Sequence, residues 1–204
     1  MADRKLIIFQ FKIRLESVKP TVWRRIEVPG DYNFWDLHVA IQDSMGWSDA
    51  HLHEFKIANP IDGKIIAIGI PDDDYDWSRA TLPGWQIAIA DYFTMDNREA
   101  TYNYDFGDDW QHRIRLESIG EATSDQQYPR CVAGKMACPP EDVGGPWGYQ
   151  DFLAAINDPD HDQHEELLEW VGGSFDAELF DPGEVWFDDP KARWQVAIGE
   201  EDAA

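Results

Sequence analysis

The stretch YNYDFGDDWQHRIRLESI, residues 102–119, decides the fold. Its even positions, Tyr102, Tyr104, Phe106, Trp110, His112, Ile114 and Leu116, are aromatic or aliphatic with one histidine among them. Its odd positions, Asn103, Asp105, Gln111, Arg113, Arg115 and Glu117, are polar. A period of two means a strand with one face buried and one wet. Parity survives the turn FGDDW, so the stretch is a hairpin whose register must keep each face intact. The pattern predicts the three-residue loop Gly107-Asp108-Asp109. In that register Phe106 opposes Trp110, Tyr104 opposes His112 and Tyr102 opposes Ile114. Glycine and aspartate tolerate the left-handed residue such a loop needs. A two-residue Gly-Asp loop would set Phe106 against Asp109 and mix the faces.

Working outward, LIIFQFKIRLE (6–16) alternates Ile7, Phe9, Phe11, Ile13 and Leu15 against Gln10, Lys12, Arg14 and Glu16, a long half-buried strand. Pro20 breaks it, and VWRRIEV (22–28) reads as a second strand antiparallel to the first. NFWDLHVAIQDSMGW (33–47) is the clearest helix. Asn33 is its N-cap, Asp36 sits at the third helical position and Gly46 is the stop, with Phe34, Leu37, Ile41 and Met45 on one face. HLHEFKI (51–57) and KIIAIGI (64–70) resume period two, and in the first His51, His53, Phe55 and Ile57 share a face. PDDDYDWSRATLPG (71–84) is an acidic loop without the Asp-x-Asp-x-Asp-Gly pattern of a calcium loop. WQIAIADYF (85–93) leans to helix, residues 120–147 are turn-rich, and 148–158 and 162–172 read as helices. The expected fold is α+β: a mixed or antiparallel sheet with an N-terminal strand-strand-helix-strand-strand unit, a central hairpin and C-terminal helices. No linker requires separate domains. The whole of 1–204 is expected as one domain, with its core over 6–172 and an acidic extension, 173–204, packed in short helical turns on its surface.

The 204 residues include 43% hydrophobic and 13% aromatic side chains, with ten tryptophans, which is the composition of a packed core and not of a disordered chain. The net charge of −23 is uneven: residues 1–25 carry seven Lys/Arg against two acids, a local +5, so the remainder carries −28. Such a balance repels phosphate backbones and anionic membranes. Nucleic-acid partners are disfavoured except by a local route through residues 4–25, and a membrane partner is not expected. No apolar run of signal-peptide length follows Met1–Lys5, and none reaches the roughly 20 residues of a membrane helix. Two cysteines are too few for a disulfide scaffold. A cytoplasmic location is the expectation.

The chemistry-bearing residues are few. A lone histidine on an aromatic face, His112, is more often a hydrogen-bonded core residue than a proton donor. Cys131 and Cys138 are six residues apart, wider than the usual pairing of zinc ligands. No cofactor is expected. The alternative is a metal-assisted enzyme, with zinc held by His112, Cys131 and Cys138, Glu141 or Asp142 as base and the His51/His53 pair as further ligands. GxSxG, HExxH and a phosphate-binding loop are absent. The expected activity is therefore binding, of a protein or small-molecule partner. The expected surface spans FGDDW and the Gly/Pro loop 138–149: Tyr104, Phe106, Asp108, Asp109, Trp110, His112, Trp147 and Tyr149. Trp110 and Trp147 are its expected contacts, because tryptophans on turns supply binding area.

Three blocks, VKPTVWRRIEVPGDYNFWDLHVAIQDSMGWSDAHLHEFKI (18–57), YNYDFGDDWQHRIRLESI (102–119) and CVAGKMACPPEDVGGPWGYQDFLAAINDP (131–159), together resemble the plasmid pRiA4b ORF-3-like family. The resemblance implies a compact α+β domain found in bacteria and archaea, at times carried on mobile elements. It brings no established biochemical activity. Some members are described as transposon resolvases. This chain argues against that role, since Arg24, Arg25, Arg113 and Arg115 accompany no activated-serine motif.

Overall fold

The computed structural model describes residues 6–71 and 81–198. Most of the acidic loop, residues 72–80, lies outside them, as do Arg4 and Lys5. The strands are β1 (Ile7–Leu15), β2 (Trp23–Pro29), β3 (His53–Ala58), β4 (Ile65–Gly69), β5 (Thr81–Pro83), β6 (Glu99–Tyr104), β7 (Trp110–Glu121) and β8 (Arg130–Lys135). They form one eight-stranded sheet in the order β5-β4-β3-β6-β7-β1-β2-β8. Every neighbouring pair is antiparallel except β4–β5. The fold class is α+β.

The helices are α1 (Phe34–Met45), α2 (Gly145–Ile156), α3 (His164–Trp170) and α4 (Pro190–Ile198). None among the described residues is long and apolar enough to cross a membrane. The ends of α1 are the ones its sequence specifies. The Asn33 side chain accepts from Asp36 N–H at 2.8 Å, and Asp36 Oδ2 accepts from Asn33 N–H at 3.0 Å, a closed capping box. Gly46, at φ +86°, ends the helix in the left-handed region.

One face of the sheet is the core. Phe9, Phe11, Ile13 and Leu15 of β1 meet Ile114 and Leu116 of β7, and Phe34, Leu37 and Ile41 of α1 join them. Phe11 meets Phe93 edge-on at 4.8 Å, and Phe34 meets Phe55 at 5.2 Å. The other face is wet and laced by ion pairs such as Arg25–Glu117 at 2.5 Å. Nearly every side of α1 is covered, because α4 packs on its outer flank: the Trp35 indole N–H donates to Pro190 O at 2.9 Å, and Trp194 meets Trp35 edge-on at 4.9 Å.

Four expectations require correction. The hairpin register is displaced by two residues: Tyr104 opposes Trp110, Tyr102 opposes His112 and Asn103 opposes Gln111. The loop is the five residues 105–109. Asp105 and Asp109 both adopt positive φ (55° and 54°), and Asp109 N–H donates to Asp105 O at 2.7 Å. Asp105 Oδ1 accepts from Gly107 N–H at 2.9 Å and Asp108 N–H at 3.3 Å. Two left-handed aspartates and an Asx turn thus replace one left-handed residue. A shift of two preserves parity, so the faces are as expected, but Phe106 moves off the sheet to the rim.

Second, β8 lies inside the stretch read as turns. Its side chains are half-buried on both faces because it is an edge strand, so its alternation is weak. Third, 85–93 holds two single turns of 3-10 helix, at Gly84–Gln86 and Ile89–Asp91. Fourth, β3 begins at His53, which leaves His51 on the preceding loop. The tail also contains a nine-residue helix, α4.

Candidate ligand-binding site at the junction of three loops

Three connections meet at one end of the sheet: 46–52 between α1 and β3, 105–109 between β6 and β7, and 136–144 between β8 and α2. Trp47 is their hub. Its ring is buried, stacks on Tyr104 at 5.1 Å, leans on Trp110 at 5.7 Å and meets His112 edge-on at 5.4 Å. Its indole N–H donates to Pro139 O at 2.9 Å. The Tyr104 hydroxyl donates to Glu141 Oε1 at 2.6 Å and accepts from Ala50 N–H at 3.0 Å. Glu141 Oε2 accepts from both Ser48 N–H, at 2.8 Å, and the Ser48 hydroxyl, at 2.5 Å. Burial and the adjacent carboxylate push the Tyr104 phenol well above its ordinary value, so it remains the donor.

The turn and the α2 loop touch through backbone. Gly144 N–H donates to Asp108 Oδ2 at 3.1 Å. At Gly145 (φ +69°) an added Cβ would lie 2.3 Å from Asp108 O, inside any permitted contact. Both φ and approach therefore demand glycine. Gly145→Ala is expected to cost about 2 kcal/mol, from left-handed strain plus displacement of the turn. Urea denaturation checks this, and an unchanged midpoint would refute the close approach.

The expected surface residues divide. Trp147 (83% exposed) and Phe106 (46% exposed) stand out at the rim, with Asp108 half-buried and Asp109 exposed beside them. Tyr104, Trp110, His112 and Tyr149 are core. For Tyr104, Trp110 and His112 the same alternation that makes the strand pattern buries them, and Tyr149 lies on the buried side of α2 with Phe152 and Ala155. Between turn and helix lies an open groove of about 570 Å³, lined by Glu16, Ser17, Gly107, Asp108, Asp109, Gln111, Gly144, Pro146, Trp147 and Gln150.

His112 is held as a neutral core residue. Its Nδ1 faces two carbonyls, Trp110 O at 3.0 Å and Tyr102 O at 3.3 Å, so Nδ1–H donates and Nε2 carries the lone pair. Burial pushes its pKa down to about 4. The structure does not gather His112, Cys131 and Cys138. Among the described residues, the group whose ligand atoms lie within 4.8 Å of one another is His51, Asp105 and Asp142. The two thiols are free and lie near the buried Arg24. The Arg24 guanidinium donates to Ser44 O at 2.7 Å, Trp23 O at 2.9 Å and Lys135 O at 3.1 Å, and lies 3.6 Å from the Phe180 ring centroid. Burial pushes the Cys138 thiol up to about 12, away from the thiolate a metal needs. Among the described residues of the basic N-terminal stretch, the arginines are engaged. Besides buried Arg24, Arg14 pairs with Glu16 at 2.7 Å and Arg25 with Glu117 at 2.5 Å.

A second polar cluster lies behind the junction. Gln42 Nε2 donates to the Tyr102 hydroxyl at 2.8 Å, that hydroxyl donates to His38 Nδ1 at 2.8 Å, and His38 Nε2–H donates to Asp49 at 2.7 Å. This is the one direction in which each donor finds an acceptor. His53 stacks on His38 with ring centroids 3.5 Å apart. Burial pushes both imidazoles well below the usual histidine range and lifts Asp49 to about 6. His53 is therefore core, and it does not share a metal with His51. His38 and Gln42 carry a signal in the sequence: they are four apart beside the stripe Phe34, Leu37, Ile41. Trp47 and Asp49 carry none, because a loop has no period.

A family model described as plasmid pRiA4b ORF-3-like protein matches residues 7–184. An uncharacterized protein of Sinorhizobium fredii, y4hQ, is 35% identical over 191 residues, covering 92% of this chain and 94% of that protein. The crystal structure of a protein of unknown function from Methanosarcina mazei Go1 superposes with a TM-score of 0.83 at 43% identity, covering 90% of this chain and 99% of that one.

Proposed function

From the premise that the chain belongs to the plasmid pRiA4b ORF-3-like family, we propose that it is a binding module whose groove beside Trp147 takes a protein segment presenting a cationic side chain. The observation that carries this reading is an exposed indole at the start of α2, braced by glycine contacts, on a groove with no Lys or Arg in its lining. Glu16 is occupied by Arg14, whereas Asp108 and Asp109 face the groove with only amide partners. An indole face and carboxylates together favour guanidinium or ammonium groups. The net charge of −23 steers such partners toward the protein.

The test is an array of 12-residue peptides bearing Arg or Lys, each paired with its Glu-substituted counterpart, followed by titration of the hits. Trp147→Ala is expected to weaken cationic hits by about tenfold or more, about 1.4 kcal/mol, without changing stability. Hits that bind Trp147→Ala undiminished, or an array with no preference for cationic members, would count against this surface.

A further inference from the structure

We infer that His51, Asp105 and Asp142 form a site for one divalent first-row metal ion, zinc or manganese, where the three loops meet. His51 Nε2 lies 3.0 Å from Asp142 Oδ1 and 3.6 Å from Asp105 Oδ2, and the three ligand atoms all fall within 4.8 Å of one another. Ligand atoms about 2.0–2.2 Å from a zinc ion stand about 3.0–3.6 Å apart, so the two measured edges already have the spacing of a coordination shell.

The single ring N–H cannot serve both carboxylates. One Nε2–H serves one carboxylate, Asp142 at 3.0 Å. Asp105 Oδ2 is then left at 3.6 Å, too far for a hydrogen bond to the ring, on a side chain that is 12% exposed. Its other oxygen cannot relax the arrangement, because Oδ1 is held by Gly107 N–H and Asp108 N–H. Two carboxylate oxygens therefore converge on one ring nitrogen. A cation in place of the proton satisfies all three groups and offsets the repulsion between the carboxylates.

The donor set selects the ion. One imidazole nitrogen with two carboxylate oxygens suits zinc or manganese, whereas calcium and magnesium prefer all-oxygen shells. Three protein ligands leave positions open to water, and Asp142 is exposed, so the affinity expected is micromolar. Asp142 comes from the α2 loop, His51 from the loop before β3 and Asp105 from the hairpin turn, so a bound ion ties the junction together. The site shares no ligand residue with the lining of the groove and does not depend on the reading of it.

The experiment titrates tag-free, chelator-stripped full-length protein with zinc and, separately, manganese by calorimetry, and follows Tm alongside. One equivalent is expected, with a metal-dependent rise in Tm. His51→Ala and Asp142→Asn are each expected to weaken binding at least tenfold and abolish the rise, whereas Trp147→Ala leaves both unchanged. Both substituted side chains are partly exposed, so the variants keep the fold, which circular dichroism verifies. Less than about a tenth of an equivalent bound at about 100 μM free metal would overturn the site. So would undiminished binding by His51→Ala, which would place the ion elsewhere.

Discussion

Replacing Trp110 by alanine is expected to lower the unfolding free energy by about 3–5 kcal/mol, the range for a fully buried aromatic. Trp110 is 1% exposed, opposes Tyr104 in the hairpin ladder and leans on Trp47 at 5.7 Å. Removing its ring opens a cavity beneath all three loops and unsupports the Trp47–Tyr104 stack. The same substitution at Trp147, 83% exposed, is expected to stay within about 0.5 kcal/mol of the unsubstituted protein. Both numbers come from urea denaturation followed by far-ultraviolet circular dichroism. Equal midpoints for the two variants would show that Trp110 is not the core residue described. The contrast matters for function, because lost binding in a Trp110 variant would report unfolding, while lost binding in a Trp147 variant would report the surface.

Acidification below pH 6.5 is expected to destabilise the protein. His38, His53 and His112 are fully buried, and burial holds all three below the ordinary histidine value, His112 at about 4. In the unfolded chain they titrate near 6.5. Between 6.5 and the folded values the unfolded state binds more protons, so stability is fully present above 6.5 and is lost as pH falls. Each such group contributes about 1.4 kcal/mol per pH unit, and His112 alone about 3 kcal/mol across its window. Asp49 acts in the opposite sense: its folded value, about 6, lies above the unfolded one, so it gains a proton in the folded state first and cancels about one histidine. Burial raises the Asp36 and Asp43 carboxyls as well, so they oppose the histidines in the same sense as Asp49, and the net expectation is a fall in stability between pH 6.5 and 5. Urea midpoints at pH 7, 6 and 5 measure it. A midpoint that is flat over that interval would mean that the buried imidazoles do not remain neutral.

Much of the fold is legible from local pattern. The α1 capping box and its Gly46 stop lie within a dozen residues, so Asn33, Asp36 and Gly46 announce them directly. Strands β1, β2, β3, β6 and β7 each bury one face, and their alternation shows it. β8 escapes notice because an edge strand half-buries both faces. The hairpin shows how far parity goes: it assigns every residue to its face but cannot distinguish registers two residues apart. Only the paired positive-φ aspartates, Asp105 and Asp109, select the five-residue loop.

The site divides along the same line. Composition and alternation alone determine an α+β chain with a one-sided sheet, an acidic surface and a histidine on an aromatic face. Which aromatics are core and which are surface is a tertiary fact. Trp110 and Trp147 look alike as turn tryptophans, yet one lies under Trp47 and the other stands in solvent. The partners of His51 are likewise invisible in the chain: Asp105 is 54 residues away and Asp142 is 91. Periodicity reports which way a side chain points relative to its own strand or helix. It carries no term for contacts between loops, and this protein assembles its candidate metal ligands and its exposed indole on loops that only the folded sheet brings together.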